Sequence, residues 1–213
     1  MEQILDGAAQ VFAERGYDAA TTDEIARVAG TSIGSVYQFF PNKLALFNAM
    51  TIRYVERARA LFETFMTPSV LEEPWEELLV RAIDGFASLN RTEPGFRALL
   101  VNWRMSADLL FSDDDVNREF ARRAESVLAA RAPRLSPVRR ARVATIIIEV
   151  ISAMLLLCVR RPKEDADLIL DETKTLLIGY LRPLVQSGAG AGAETRGQAG
   201  ESRKKRTRKG ERR

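Results

Sequence analysis

The stretch from Ala20 to Phe47, ATTDEIARVAGTSIGSVYQFFPNKLALF, constrains the fold of this chain more than any other. Thr21 or Thr22 can cap a short helix, and Thr21 with Glu24 has the spacing of a capping box. Ile25, Ala26, Val28 and Ala29 give that helix one apolar face. Gly30 tolerates a left-handed backbone and ends it, and Ser32 can cap a second helix two residues later. In that second helix Ile33, Val36 and Phe40 recur at three- and four-residue spacing, which leaves Ser32, Gly34, Ser35, Tyr37 and Gln38 largely for solvent. Pro41 stops it. Two short helices joined through a Gly-containing turn, the second slim and polar on its outer side, match the geometry that enters a DNA major groove. Gly34 and Ser35 keep the leading end narrow, Tyr37 offers a hydroxyl to a phosphate, and Lys43 offers a point charge beside it. Periodicity alone supports an ordinary helical hairpin equally well.

The same run resembles the DNA-binding region of the TetR/AcrR family of bacterial repressors, roughly T-x-x-x-I-A-x-x-A-G-V-S-x-G-x-L-Y-x-H-F-x-x-K-x-x-L. Ile25, Ala26, Ala29, Gly30, Ser32, Gly34, Tyr37, Phe40, Lys43 and Leu46 stand where that pattern asks. Thr31, Val36 and Phe39 depart from it. The resemblance covers about the first quarter of the chain. It implies an all-α protein, with an N-terminal three-helix helix-turn-helix domain, a C-terminal helical bundle and about nine helices in total. The expected DNA-contacting set is Thr22, Ser32, Ile33, Gly34, Ser35, Tyr37, Gln38 and Lys43, of which Ser32, Gly34, Tyr37 and Lys43 also stand in the family pattern.

Charge is unevenly distributed. Residues 1 to 50 carry Arg15, Arg27 and Lys43 against Glu2, Asp6, Glu14, Asp18, Asp23 and Glu24, a net −3, which is unusual for a domain that meets nucleic acid. Helix N-termini and hydroxyls can nevertheless supply phosphate contacts. Residues 186 to 213, SGAGAGAETRGQAGESRKKRTRKGERR after Gln186, carry nine cations against three carboxylates and no apolar residue larger than Ala. They read as a disordered basic tail that anionic surfaces attract. The chain holds no His and a single Cys158, which excludes Ser-His-Asp and Cys-His catalysis and any internal disulfide. No enzyme, no cofactor and no metal site are expected. Glu2 and Asp6 occupy the place of a positive signal-peptide start, and a cytoplasmic, nucleoid-associated bacterial protein is expected.

Along the chain, Ile4, Ala8, Val11 and Phe12 outline a first helix closed by Arg15-Gly16. A long helix from Lys43 to about Met66 links two bodies, and the expected division is 1–47, 48–185 and 186–213. Further helices are expected after Pro74, from Phe96 to Phe111, from Ser112-Asp113-Asp114-Asp115 to about Ala132, from Ser136-Pro137 through Arg160, and from about Glu164 to Val185. The acidic triplet lacks the Gly and the bidentate Glu of a calcium loop.

Val143 to Val159 is the most apolar run. A membrane span competes with a helix covered on two sides, but the run has 17 residues with Glu149 near its middle, so no membrane is expected. The helices at about 137–160 and 164–185, the latter with Gly179 for close approach, read as a homodimer interface built as a four-helix bundle, an arrangement the resemblance also implies. The resemblance implies a small-molecule pocket in the C-terminal domain. Its candidate lining is Phe86, Asn102, Trp103, Phe120 and Glu149, and its expected effector is aromatic or cationic. The expected protein is a dimeric, ligand-responsive transcriptional repressor that places two recognition helices about 34 to 36 Å apart, or somewhat more, on a pseudo-palindromic double-stranded operator. The competing reading is a helical small-molecule-binding or adaptor protein without operator recognition.

Overall fold

Local signals set the first four helices. In the computed structural model, which describes residues 1–102, 113–159 and 161–189, α1 spans Glu2–Ala19 and breaks at Gly16, whose φ of 76° is open to glycine. Helix α2, Thr22–Val28, is capped by Thr21, whose hydroxyl accepts from the Glu24 amide at 3.2 Å. Only that half of the expected capping box forms, because the Glu24 carboxylate turns to Arg15 at 3.3 Å. Gly30 adopts φ 64° and turns the chain into α3, Ile33–Phe39, where Ser32 accepts from the Ser35 amide at 3.1 Å. Asn42, which the sequence reading passed over, caps α4, Lys43–Thr64, by accepting from the Ala45 amide at 2.8 Å.

Phe12, Ile25, Val36, Leu46 and Phe47 bring these four helices into one core. Phe12 and Tyr17 meet Phe47 edge-on, with centroids 4.9 and 5.1 Å away.

A short 3-10 turn, Pro68–Leu71, separates α4 from α5, Trp75–Thr92. Glu93-Pro94-Gly95 does not interrupt helical structure for long: α6, Pro94–Asn102, begins at the proline, as suits the first helical turn. The predicted continuation of this helix to Phe111 lies outside the described residues from 103 on. Helix α7 is Asp113–Arg131, α8 is Pro137–Cys158 with Ser136 as its cap, and α9 is Lys163–Ala189. Helix α9 accommodates Pro183 and continues past Val185, so 186–189 belong to the helix; the rest of the predicted tail lies outside the described residues. The described residues therefore form nine α-helices and no strand.

In the C-terminal bundle α8 packs between α7 and α9, and Lys174 of α9 reaches Asp84 of α5 at 2.7 Å. Helix α8 is long and apolar enough to cross a membrane by length and composition. Val143, Ala144, Ile147, Ile148 and Leu155 face the bundle, while Val138, Ile146 and Leu157 of α8 and Leu168, Leu176 and Tyr180 of α9 remain exposed. A Cβ on Gly179 would meet nothing within 4 Å among the described residues.

Head and body meet along α1, α4 and α6. Tyr54 on α4 is buried, with the guanidinium groups of Arg53 and Arg57 5.5 and 5.2 Å from its ring. Burial pushes its phenol up, against the pull of those cations. Arg57 pairs with Glu93 at 2.5 Å, and Arg53 with Glu2 at 3.2 Å and with Asp6. A Cβ on Gly95 would lie 1.9 Å from the Tyr54 ring, so α6 approaches this closely only because residue 95 is glycine.

Candidate nucleic-acid interface and ligand cavity

Helix α3 has only seven residues, too few to be stable by itself, and it is held from one side. Val36 is its fully buried anchor and Ile33 packs partly into the same core. Gly34, Tyr37 and Gln38 are exposed, and Ser35 is half-buried with its hydroxyl 2.9 Å from that of Ser32. Tyr37 keeps half of its surface exposed while its hydroxyl lies 3.1 Å from that of Thr22. This contact joins the start of α2 to the outer side of α3. Thr22, Ser32, Gly34, Ser35, Tyr37 and Gln38 thus gather on and beside one short helix, whereas Ile33 serves mainly to fix it.

Lys43 has a different place from the one its spacing suggested. Its ammonium donates to the carbonyls of Tyr17, Asp18 and Ala20 at 2.7, 3.1 and 3.0 Å and lies 4.6 Å from the Tyr17 ring centroid. All three of its donors are used, so it closes the C-terminal end of α1 rather than standing free for a phosphate.

In the body, an apolar cavity of about 100 Å³ lies among α4, α5, α6, α7 and α8. Phe62, Phe86 and Phe120 form its aromatic wall; Phe62 and Phe120 stack with centroids 4.4 Å apart and planes within 6°. A second cavity of about 120 Å³, lined by Trp75, Leu78 and Leu181 among others, shares Phe62, Ala82, Ile148 and Ile151 with the first. Of the predicted lining, Phe86 and Phe120 are in place. Trp103 and the side chain of Asn102 lie outside the described residues.

Glu149 is exposed and outside both cavities, which corrects its reading as a cavity carboxylate: its side chain lies off the face of α8 that carries Ile148 and Ile151 into them. It accepts from the Asn117 amide at 3.3 Å. Asn117, buried and lining the first cavity, is the polar group that the sequence reading missed; it also accepts from the Ser152 hydroxyl at 3.1 Å. Its place was legible, since it falls in the same stripe of α7 as Phe120, Ala124 and Leu128.

Comparisons with known proteins bear on both ends of the chain. The family "Bacterial regulatory proteins, tetR family" matches residues 4–50, and "Tetracyclin repressor-like, C-terminal domain" matches residues 74–181. The chain is 32% identical over 140 residues to the HTH-type transcriptional repressor Rv1474c of Mycobacterium tuberculosis, covering 65% of this chain and 66% of that protein. It is 34% identical over 87 residues to the regulator SrpR of Pseudomonas putida, covering 41% of this chain and 39% of that one. The chain thus spans less than two thirds of the length of the curated relatives it matches. The crystal structure of a TetR-family transcriptional regulator from Streptomyces coelicolor is similar in fold, with a TM-score of 0.58 at 28% identity over 86% of this chain and 98% of that one.

Proposed function

Because the chain belongs to the TetR family of bacterial regulatory proteins, with matches across both its head and its body, we propose that it is a ligand-responsive, DNA-binding transcriptional repressor acting as a homodimer in the cytoplasm. The observation that carries this reading is α3: Val36 buries one side, while Gly34, Tyr37 and Gln38 stand outward. Small and polar residues let the helix approach base edges closely, and hydroxyls suit phosphate oxygens. The net −3 of residues 1 to 50 then limits sequence-independent attraction, so that affinity rests on placed contacts.

The second copy would sit on the exposed apolar residues of α8 and α9. Leu168 and Leu176 are 67% and 59% exposed, and Gly179 leaves room for a close crossing. Two-fold pairing there sets the separation of the two recognition helices.

The effector would enter the aromatic cavity. As it stands, about 100 Å³ is below the roughly 300 Å³ of common ligand sites. Phe62 lines both cavities, so rotation of that ring would join them. Asn117 and Ser152 are the polar groups in an otherwise apolar wall that holds no carboxylate, which favours an aromatic, largely uncharged effector over a cationic one. An effector that prefers the opened body lowers operator affinity by its differential affinity for the two states. No step calls for catalysis.

Selection of duplexes from a random DNA pool at near-physiological salt, run in parallel with Tyr37→Ala, tests the reading. Recovery of one inverted repeat by the natural protein, lost or much weakened with Tyr37→Ala, is expected. Recovery of no sequence, or equal recovery by both proteins, would turn the reading to a helical ligand-binding or adaptor protein.

A further inference from the structure

A cleft of about 660 Å³ opens between α1 of the head and the corner where α5, α6, α8 and α9 converge, separate from the aromatic cavity. Its volume is in the range of small-molecule sites. Ala87, Leu155, Val159 and Leu170 give it an apolar floor. Around them stand Arg91, Arg97, Arg161 and Lys163 against one carboxylate, Glu14. Arg91 is engaged by Asp167 at 3.3 Å; the other three cations make no ion pair among the described residues. Several cations converging on one concave surface raise the local concentration of anions.

A second observation also points to an occupant. Asn90, only 9% exposed, lines this cleft; its Nδ2 donates to the Leu155 carbonyl at 3.5 Å, but its buried Oδ1 has no hydrogen-bond partner among the described residues. An unsatisfied buried amide oxygen is costly; being an acceptor, it would be relieved by a hydroxyl on the body of an occupant and not by an anionic head.

We propose that this cleft is a second small-molecule site, made for an amphipathic organic anion whose carboxylate or phosphate head lies among Arg97, Arg161 and Lys163 and whose apolar body covers the floor. Gln10, Ala13 and Glu14 of α1 form one wall, so an occupant touches the helix that braces the recognition unit directly. That consequence rests on the DNA-binding reading; the binding itself does not.

Cys158, the chain's sole cysteine, lines the cleft and reports on its occupancy. Its partial burial pushes the thiol pKa up, so alkylation by iodoacetamide is followed at mildly alkaline pH on the full-length protein without DNA. Octyl phosphate and octanoate are the probes, with octanol as the uncharged control. At about four times its Kd a bound anion should slow alkylation about fivefold. Whichever anion protects at the lower concentration identifies the head group. Protection should vanish in the double variant Arg97→Ala, Arg161→Ala, both exposed positions whose unchanged thermal midpoint confirms folding. Glu14→Gln should instead lower the concentration that half-protects. Absence of protection at millimolar anion, equal protection by octanol, persistence in the double variant, or no gain from Glu14→Gln would overturn the site. Protection of Cys158 with no effect on operator binding would keep the site and remove its regulatory consequence.

Discussion

Around the recognition helix, Phe12, Ile25, Val36, Leu46 and Met50 are sealed completely from solvent. In the body, among the large described side chains, only Ile83 and Leu177 match them beyond the α4 joint, and cavities of about 100 and 120 Å³ remain between helices. Lys43 satisfies three carbonyls in the head, whereas the amide oxygens of Asn48 on α4 and of Asn90 in the body are buried without a partner among the described residues. A reader of base edges must hold its side chains in one place, and close packing does that. A sensor must have two arrangements of similar free energy, and incomplete packing supplies the second.

Matched truncations test this difference most directly. Phe47→Ala should cost about 3–5 kcal/mol, the range for a buried aromatic in a core that cannot collapse. Phe86→Ala, beside an existing cavity, should cost at least about 1 kcal/mol less. Urea unfolding of both variants decides it; equal costs would mean that the body is packed as tightly as the head.

At the joint, Gly95→Ala forces a methyl into the Tyr54 ring, which is boxed in by Arg53 and Arg57. A destabilisation of about 1–3 kcal/mol is expected from overpacking. Retention of the natural thermal midpoint would show that α6 slides freely over α4.

On the recognition helix the same substitution separates stability from function. A Cβ on Gly34 meets nothing nearer than the Ser32 hydroxyl at 3.8 Å, so Gly34→Ala should move stability by no more than about 0.5 kcal/mol. Its effect on operator affinity should be a loss of about tenfold, equivalent to about 1.4 kcal/mol, because on the proposed reading the methyl stands where the helix approaches base edges. Undiminished affinity would remove Gly34 from the interface.

The smallest effect concerns Lys174, which ties α9 to α5. Burial alone would lower its pKa, but its bonds to Asp84 and Asp171 outweigh that and raise it above the ordinary 10.5. A raised pKa means the ion pair's stabilisation is complete below 10.5 and is lost as pH rises through the folded-state value. The stability gap between the natural protein and Lys174→Met should therefore be flat from neutral pH to about 10 and narrow above it. A gap that widens in alkali would contradict the assignment.

Features of short range were legible in the sequence. The Thr21 and Ser32 caps, the Gly30 turn, the Val36 anchor and the stripe containing Phe86 or Phe120 all depend on residues within a turn or two of one another. Helical periodicity and capping act over that distance. Asn117 could have been found by the same rule, as a polar residue in the apolar stripe of α7.

Other features needed the chain to be assembled. Lys43 finds carbonyls 23 to 26 residues upstream, and no local rule distinguishes that partner from a phosphate. Glu149 lies on an apolar helix, yet the turn of α8 that meets α7 and α9 decides that it faces outward. The cleft beside Asn90 draws walls from α1, α5, α6, α8 and α9, so its charge exists only once those helices meet. The sequence by itself determined which segments are helices and which side of each is apolar, because those properties are set residue by residue. Tertiary packing alone decided which polar groups meet, which stay unpaired and where space remains, because those depend on the relative placement of helices far apart in the chain.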